Sequence, residues 1–200
     1  MHAPRVLVAY ASRHAATAEI AAAIAAELDA AGCPAVVAEV RAVESLVGFD
    51  GVVVGSALYL GRWDEAALAL VRRERERLAA IPTWLFSSGP VGIGPATARP
   101  ERLPQPDEVA SLAAEIGAHA TTFGGRVDPA EGGFEMEIMA RAGLAGDWRD
   151  FARIRSWARA IAGDLLARGA TTEAGATADA EATADAGMGP TEGPGTAADA

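Results

Sequence analysis

Arg5-Val-Leu-Val-Ala-Tyr-Ala-Ser-Arg-His-Ala-Ala-Thr-Ala-Glu-Ile20 decides the fold. Its first half, centred on Val6-Leu-Val8, reads as a short buried strand. Its second half opens a helix over Ala15–Ala31, with Ile20, Ile24 and Leu28 spaced by four on one face and Gly32 as the stop. Between the two lies Ala11-Ser-Arg-His-Ala-Ala-Thr17, with hydroxyls at Ser12 and Thr17 bracketing the helix start. Backbone N–H groups at a helix N-terminus point at whatever sits there, and the helix dipole favours an anion. The same spacing is equally compatible with an ordinary capped helix. The loop is neither G-x-G-x-x-G nor a Walker A motif.

Downstream, the strand–helix alternation repeats. Pro34–Val40, Gly51–Gly55, Thr83–Ser87 and Ala118–Phe123 read as further strands. Trp63–Ala80, Asp107–Gly117 and about Asp150–Ala167 read as helices, the last with Phe151, Ile154, Ala158, Ile161 and Leu165 on one stripe. The mixed-sign run Arg72–Arg77 is a solvated face rather than a binding patch. Strands separated by helices pair in parallel, because a parallel neighbour requires a crossover. The expectation is an α/β fold, a doubly wound sheet of five parallel strands in the order 2-1-3-4-5 with helices on both faces. Ligands of such sheets bind beyond the carboxyl ends of the strands.

Three loops meet at that edge. After the third strand comes Gly55-Ser-Ala-Leu-Tyr-Leu-Gly-Arg-Trp63, whose two aromatics suit a planar ligand. After the fourth comes Ser87-Ser-Gly-Pro-Val-Gly-Ile-Gly-Pro95, whose glycines leave backbone amides accessible.

Composition bounds the chemistry. The chain has 200 residues, 17 basic against 27 acidic, a formal net charge of −10. All the basic residues are arginine, which excludes a P-loop NTPase, a lysine Schiff-base enzyme and a protein kinase. Net acidity argues against nucleic acid as a partner. The lone Cys33 and the separated His2, His14 and His119 give no disulfide framework and no metal spacing. No apolar run approaches the roughly 20 residues of a membrane span. The expected location is cytoplasmic. Residues 171–200 hold six acids, no base, no aromatic and no branched aliphatic residue. They read as a disordered acidic Ala/Thr/Gly-rich tail on a domain spanning residues 1–170.

With these motifs in place, the chain resembles the flavodoxin-like FMN proteins. More narrowly it is similar to the flavodoxin-domain group containing the menaquinone-dependent protoporphyrinogen IX dehydrogenases. The narrower resemblance rests on Arg5–His14, Gly55–Trp63, Phe123-Gly-Gly-Arg-Val127 and the closing Asp150-Phe-x-x-Ile154-x-x-Trp157. It covers about residues 4–168. It implies noncovalent FMN as cofactor, with Ser12, Arg13, His14, Ala15, Ala16 and Thr17 around the phosphate. Ser56, Ala57, Leu58, Tyr59 and Trp63 would form one ring loop, with Tyr59 and Trp63 flanking the isoalloxazine. Ser88, Gly89, Pro90, Val91 and Gly92 would form the other. The flavin carries the redox chemistry, so no catalytic acid or base is required. Nearby Asp64 and Glu65 would lower the potential of the reduced flavin.

The implied function is an oxidoreductase of haem biosynthesis, with a quinone or a redox protein as electron partner and protoporphyrinogen IX as candidate substrate. The alternatives are a one-electron carrier docking through an acidic surface, and a flavin-free binding or signalling module. A receiver domain shares the strand order but needs a lysine and a third-strand aspartate, where this chain has Gly55-Ser56. Two departures from the family pattern stand out. The family's phosphate loop usually has glycine at the position of Ala15; a φ above zero there would cost an alanine about 1 kcal/mol. The segment Phe134–Gly146 is shorter than the basic insertion of the quinone-dependent enzymes, and its Met136, Ile138, Met139 and Leu144 read as core packing.

Overall fold

The computed structural model describes residues 2–89, 105–143 and 145–185. Strands β1 (Val6–Ala11), β2 (Ala35–Glu39), β3 (Gly51–Tyr59), β5 (Thr83–Gly89) and β6 (His119–Gly124) form a parallel sheet in the order β2-β1-β3-β5-β6. This is the expected order, with the ordinals shifted by one. The shift comes from β4 (Arg62–Trp63), which pairs antiparallel with the end of β3. The segment expected as a loop after the third strand is therefore a hairpin.

Alternation along the central strands feeds two cores. On one face Leu7, Ala9, Val52, Val54 and Leu85 pack against α2 (Glu65–Arg73), α3 (Arg75–Ala80) and α4 (Asp107–Ile116). On the other, Val6, Val8, Val53, Trp84 and Phe86 pack against α1 (Ala15–Ala30) and α6 (Phe151–Asp185). Cys33 is buried in this second core, and its burial pushes the thiol pKa up. Phe86, Phe123 and Trp157 form an aromatic cluster with centroids 5.4–6.3 Å apart, Trp157 edge-to-face with both phenylalanines and tying α6 to the sheet.

The single helix expected over Trp63–Ala80 is divided. Trp63 belongs to β4, and Asp64 caps α2 by accepting from the Ala66 N–H at 3.0 Å. The interruption at Glu74 is slight. Glu74 N still donates to Leu70 O at 3.0 Å, and Leu78 N to Glu74 O at 2.9 Å. Helix α6 runs past the expected end near Ala167 to Asp185. The tail positions 186–200 and the ring-loop positions Pro90, Val91 and Gly92 lie outside the described residues.

Between β6 and α6 the chain makes an excursion over residues 126–147. A two-residue ribbon, β7 (Arg126–Val127) with β8 (Gly146–Asp147), closes its base, and α5 (Phe134–Arg141) forms its top. Gly124 and Gly125 allow the close approach this needs. A Cβ on Gly124 would stand 2.0 Å from the Trp148 carbonyl oxygen. Gly125 donates its N–H to Gly89 O at 2.6 Å and accepts from Trp148 N at 2.9 Å.

Candidate functional site

The register brings four strand ends to one edge. Ala11 faces Ser56, Ser56 faces Ser87, Ala57 faces Ser88, and Gly89 faces Gly124. A cleft of about 640 Å³ opens there, within the range of small-ligand sites. Ser12, His14, Ala16 and Thr17 line one end; Ala57, Leu58, Tyr59, Ser88 and Gly89 line the other. A larger hollow, about 1110 Å³, lies at the opposite edge of the sheet beside His2, Asp50 and Leu165. No described residue of the three loops read from the sequence lines it.

At the helix end of the cleft, Thr17 is 1% exposed. Its hydroxyl has no hydrogen-bond partner among the described residues, although it lines the cleft. Ser12 does otherwise, donating its Oγ–H to His14 O and accepting from His14 N. That turn sets His14 in an extended conformation, φ −129°, immediately before α1. Among the described residues Leu60 alone, apart from glycines, has a positive φ, so Ala15 carries no left-handed strain. The departure from glycine at that position is accommodated without conformational cost.

The ring-loop residues divide. Tyr59 lines the cleft and accepts a 2.6 Å hydrogen bond from the Arg13 N–H at its hydroxyl. Trp63 does not line it. Trp63 is 3% exposed, packed in the α2-side core, with its indole N–H donating to Ser87 Oγ at 2.8 Å. The hairpin turns Trp63 inward, because a two-residue turn places Leu58 opposite it. Ser56 is also interior, donating to Ala57 O and accepting from Asp64 N. Arg13 stands over the Tyr59 ring and Ala15 in the first helical turn, neither lining the cleft.

The sequence reading missed the third side of the cleft. Gly125, Arg126, Val127, Phe134, Ile138 and Met139 line it. Far from filling a core, Phe134 is 79% and Ile138 49% exposed, so these apolar side chains form a wall and rim. Leu60, 97% exposed, completes the rim from the hairpin tip. It sits at φ 51°, followed by Gly61 at φ 79°, the pattern of a type I′ turn, which favours Asn or Gly in the first position.

Charge pairs hold the excursion down. Arg149 bonds Asp147 at 2.6 Å and Glu19 of α1 at 2.7 Å. Arg126 bonds Glu19 and Glu131, and Glu131 approaches His14 Nδ1 at 3.5 Å. The Arg149 hydrogen bonds hold both the Glu19 and the Asp147 carboxyls below the usual range. Among the described residues no cluster of His, Cys, Asp or Glu could hold a metal ion. No helix among them is long and apolar enough to cross a membrane.

A family model described as flavodoxin domain matches residues 7–141. No curated protein matches the chain in sequence. Solved structures share its fold at low identity. Rubredoxin oxygen:oxidoreductase from the anaerobe Desulfovibrio gigas aligns with TM-score 0.57 and 15% identity over 82% of this chain. The alignment spans only 37% of that longer protein. A short-chain flavodoxin associated with a non-canonical PDU bacterial microcompartment aligns with TM-score 0.53 and 14% identity, over 81% of this chain and 99% of that one. A flavodoxin from Streptococcus pneumoniae TIGR4 aligns with TM-score 0.52 and 18% identity, over 80% and 99%.

Proposed function

The chain belongs to the flavodoxin domain family, and on that premise we propose that it binds FMN noncovalently in the carboxyl-edge cleft and works as an oxidoreductase. The observation that carries this is Thr17: a residue 1% exposed that lines the cleft at the start of a 16-residue helix, its hydroxyl without a protein partner among the described residues. Such a donor fits an anion, and the N-terminus of α1 beside it fits a phosphate. Ser12, His14 and Thr17 would hold the phosphate end, and Tyr59, Leu58, Ser88 and Gly89 the ring end. Bound there, FMN would supply the electron-transfer chemistry, and the chain's part is to bind, orient and shield it.

For the substrate we favour a small apolar molecule over a protein docking through acidic contacts. The finer reading is a dehydrogenase of the protoporphyrinogen IX type with a quinone as acceptor. The support is the rim. Leu60, Phe134 and Ile138 offer apolar contact, and the nearby arginines Arg62 and Arg141 are paired with Glu108 and Glu137. The one-electron carrier reading calls for an acidic surface at the same place.

The test is the visible spectrum of the purified protein, reconstituted with FMN if colourless, and the mass of the cofactor released by heat. FMN is expected. FAD as the main species, or failure to take up any flavin, overturns the proposal. Quinone reduction dependent on protoporphyrinogen then separates the dehydrogenase from the carrier.

A further inference from the structure

A ladder of alternating charge joins the excursion to α1 and ends at the cleft. Asp147 bonds Arg149 at 2.6 Å, Arg149 bonds Glu19 at 2.7 Å, and Glu19 meets Arg126 at 3.2 Å. Arg126 in turn bonds Oε1 of Glu131. Three carboxylates thus share two guanidiniums, and the ladder is one positive charge short. The deficit falls at its end. Glu131 Oε2 is buried and accepts no hydrogen bond among the described residues. His14 Nδ1 stands 3.5 Å from it, and the two side chains are only 17% and 18% exposed. His14 lines the cleft from the loop before α1, whereas Glu131 sits on the excursion and does not line it.

Among the described residues Glu131 is the one carboxylate within 4.0 Å of a His14 ring nitrogen. The adjacent Arg13 is turned to Tyr59 and to Asp64, which Arg41 also bonds. Arg126 is engaged by Glu19 and Glu131. A neutral imidazole offers Glu131 a dipole at most; the protonated ring supplies the missing charge.

We propose that His14 and Glu131 form a proton-operated clasp between the helix end of the cleft and the excursion. When the imidazole takes one proton from solvent, both ring nitrogens carry N–H, and Nδ1–H donates to Glu131 Oε2. The added charge balances the ladder, and the unbonded oxygen gains its partner. Loss of that proton restores the deficit, and the wall carrying Phe134 and Ile138 loosens. Histidine changes charge between about pH 5 and 8, so the clasp is closed at the acid end of that range and open at the basic end. Below it the carboxylates themselves become protonated and the ladder fails. The clasp is a property of the chain and does not depend on the cofactor reading.

The experiment follows amide hydrogen exchange in the full, cofactor-free chain at about pH 6, 7 and 8, with rates corrected for the intrinsic pH dependence of exchange. Wild type is expected to protect residues 126–143 about fivefold better at the lowest pH than at the highest. His14→Gln never carries the charge and is expected to stay at the open level throughout. His14→Lys always carries it and is expected to stay at the closed level. Glu131→Gln removes the receiving charge, keeps the shape and should flatten the profile. Protection of β1, β3 and β5 should not follow pH in any of these proteins.

A pH profile in His14→Gln that matches wild type overturns the clasp, because another group must then titrate. A flat wild-type profile overturns it as well, and so does a response shared equally by β1, β3 and β5. If His14→Gln does not fold, the comparison of wild type with His14→Lys decides, and equal slopes in those two overturn the proposal.

Discussion

The sheet wall of the cleft is positioned by backbone register, and the excursion wall by charge pairs and glycine contacts. Tyr59, Ser88 and Gly89 stand where they do because β3 and β5 pair in parallel over six residues. Phe134, Ile138 and Met139 stand opposite on α5, carried by a ribbon only two residues long and pinned by Arg126 and Arg149. The first wall shares the cooperativity of the whole domain. The second belongs to a small unit with few buried apolar contacts, which opens at lower free energy. A rigid wall thus faces a more adjustable one.

The largest expected effect lies at the join between the two. Gly124→Ala puts a methyl group 2.0 Å from the Trp148 carbonyl oxygen. Relieving the overlap must move backbone, at about 3 kcal/mol, lowering Tm by roughly 6–12 °C. A Tm within about 2 °C of wild type would show that the join yields easily and that the walls are less distinct than described. On the sheet side, Thr17→Val keeps the shape and removes the hydroxyl. Hydrogen bonds to charged groups contribute about 1.5–3 kcal/mol, so FMN affinity should fall about 10- to 150-fold. Riboflavin affinity should hardly change; equal FMN binding by both proteins would reduce this loop to a capped helix.

On the excursion side, Arg149→Gln strands two carboxylates that are nearly half exposed. The expected loss is about 1–2 kcal/mol, less than for a fully buried pair. Faster amide exchange should be confined to residues 126–147, and a uniform rise across β1, β3 and β5 would contradict the local unit. Acid should act similarly. Glu19 and Asp147 titrate below their ordinary values because Arg149 bonds them. Their contribution is intact above about pH 5 and is lost as pH falls through the lowered values. The Trp148 indole resonance should therefore shift at a higher pH than those of Trp84 and Trp157. Smallest is Leu60→Asn, which turns a strained Leu-Gly turn into Asn-Gly. It should gain about 1 kcal/mol and 2–4 °C in Tm, and no gain would mean that the turn is relaxed as it stands.

The difference between the walls also explains what could be read from the sequence. Val6-Leu-Val8 and Val52-Val-Val54 are apolar in both directions, so strands buried on both faces were legible, and their order followed from the crossovers. Thr17 was legible because it brackets a helix start. Trp63 was not, because its place depends on Leu60-Gly61 folding into a tight hairpin, and leucine gives little sign of a positive φ. The role of Phe134, Ile138 and Met139 was hidden for another reason. Apolar residues at helical spacing look alike whether they face a core or a cleft. What separates the cases is the Arg149–Glu19 pair, 130 positions apart in sequence.

The excursion also enters and leaves the sheet at one point, since Arg126 pairs with Asp147 and Gly125 accepts from Trp148 N. Its two ends are neighbours, so to the rest of the chain the whole segment is topologically equivalent to a tight turn. It is therefore an exchangeable part: a shorter or longer segment spliced between Gly125 and Trp148 leaves every strand pairing of the main sheet in register. One wall of the cleft can thus be replaced by swapping one cassette, while the sheet wall is inherited unchanged.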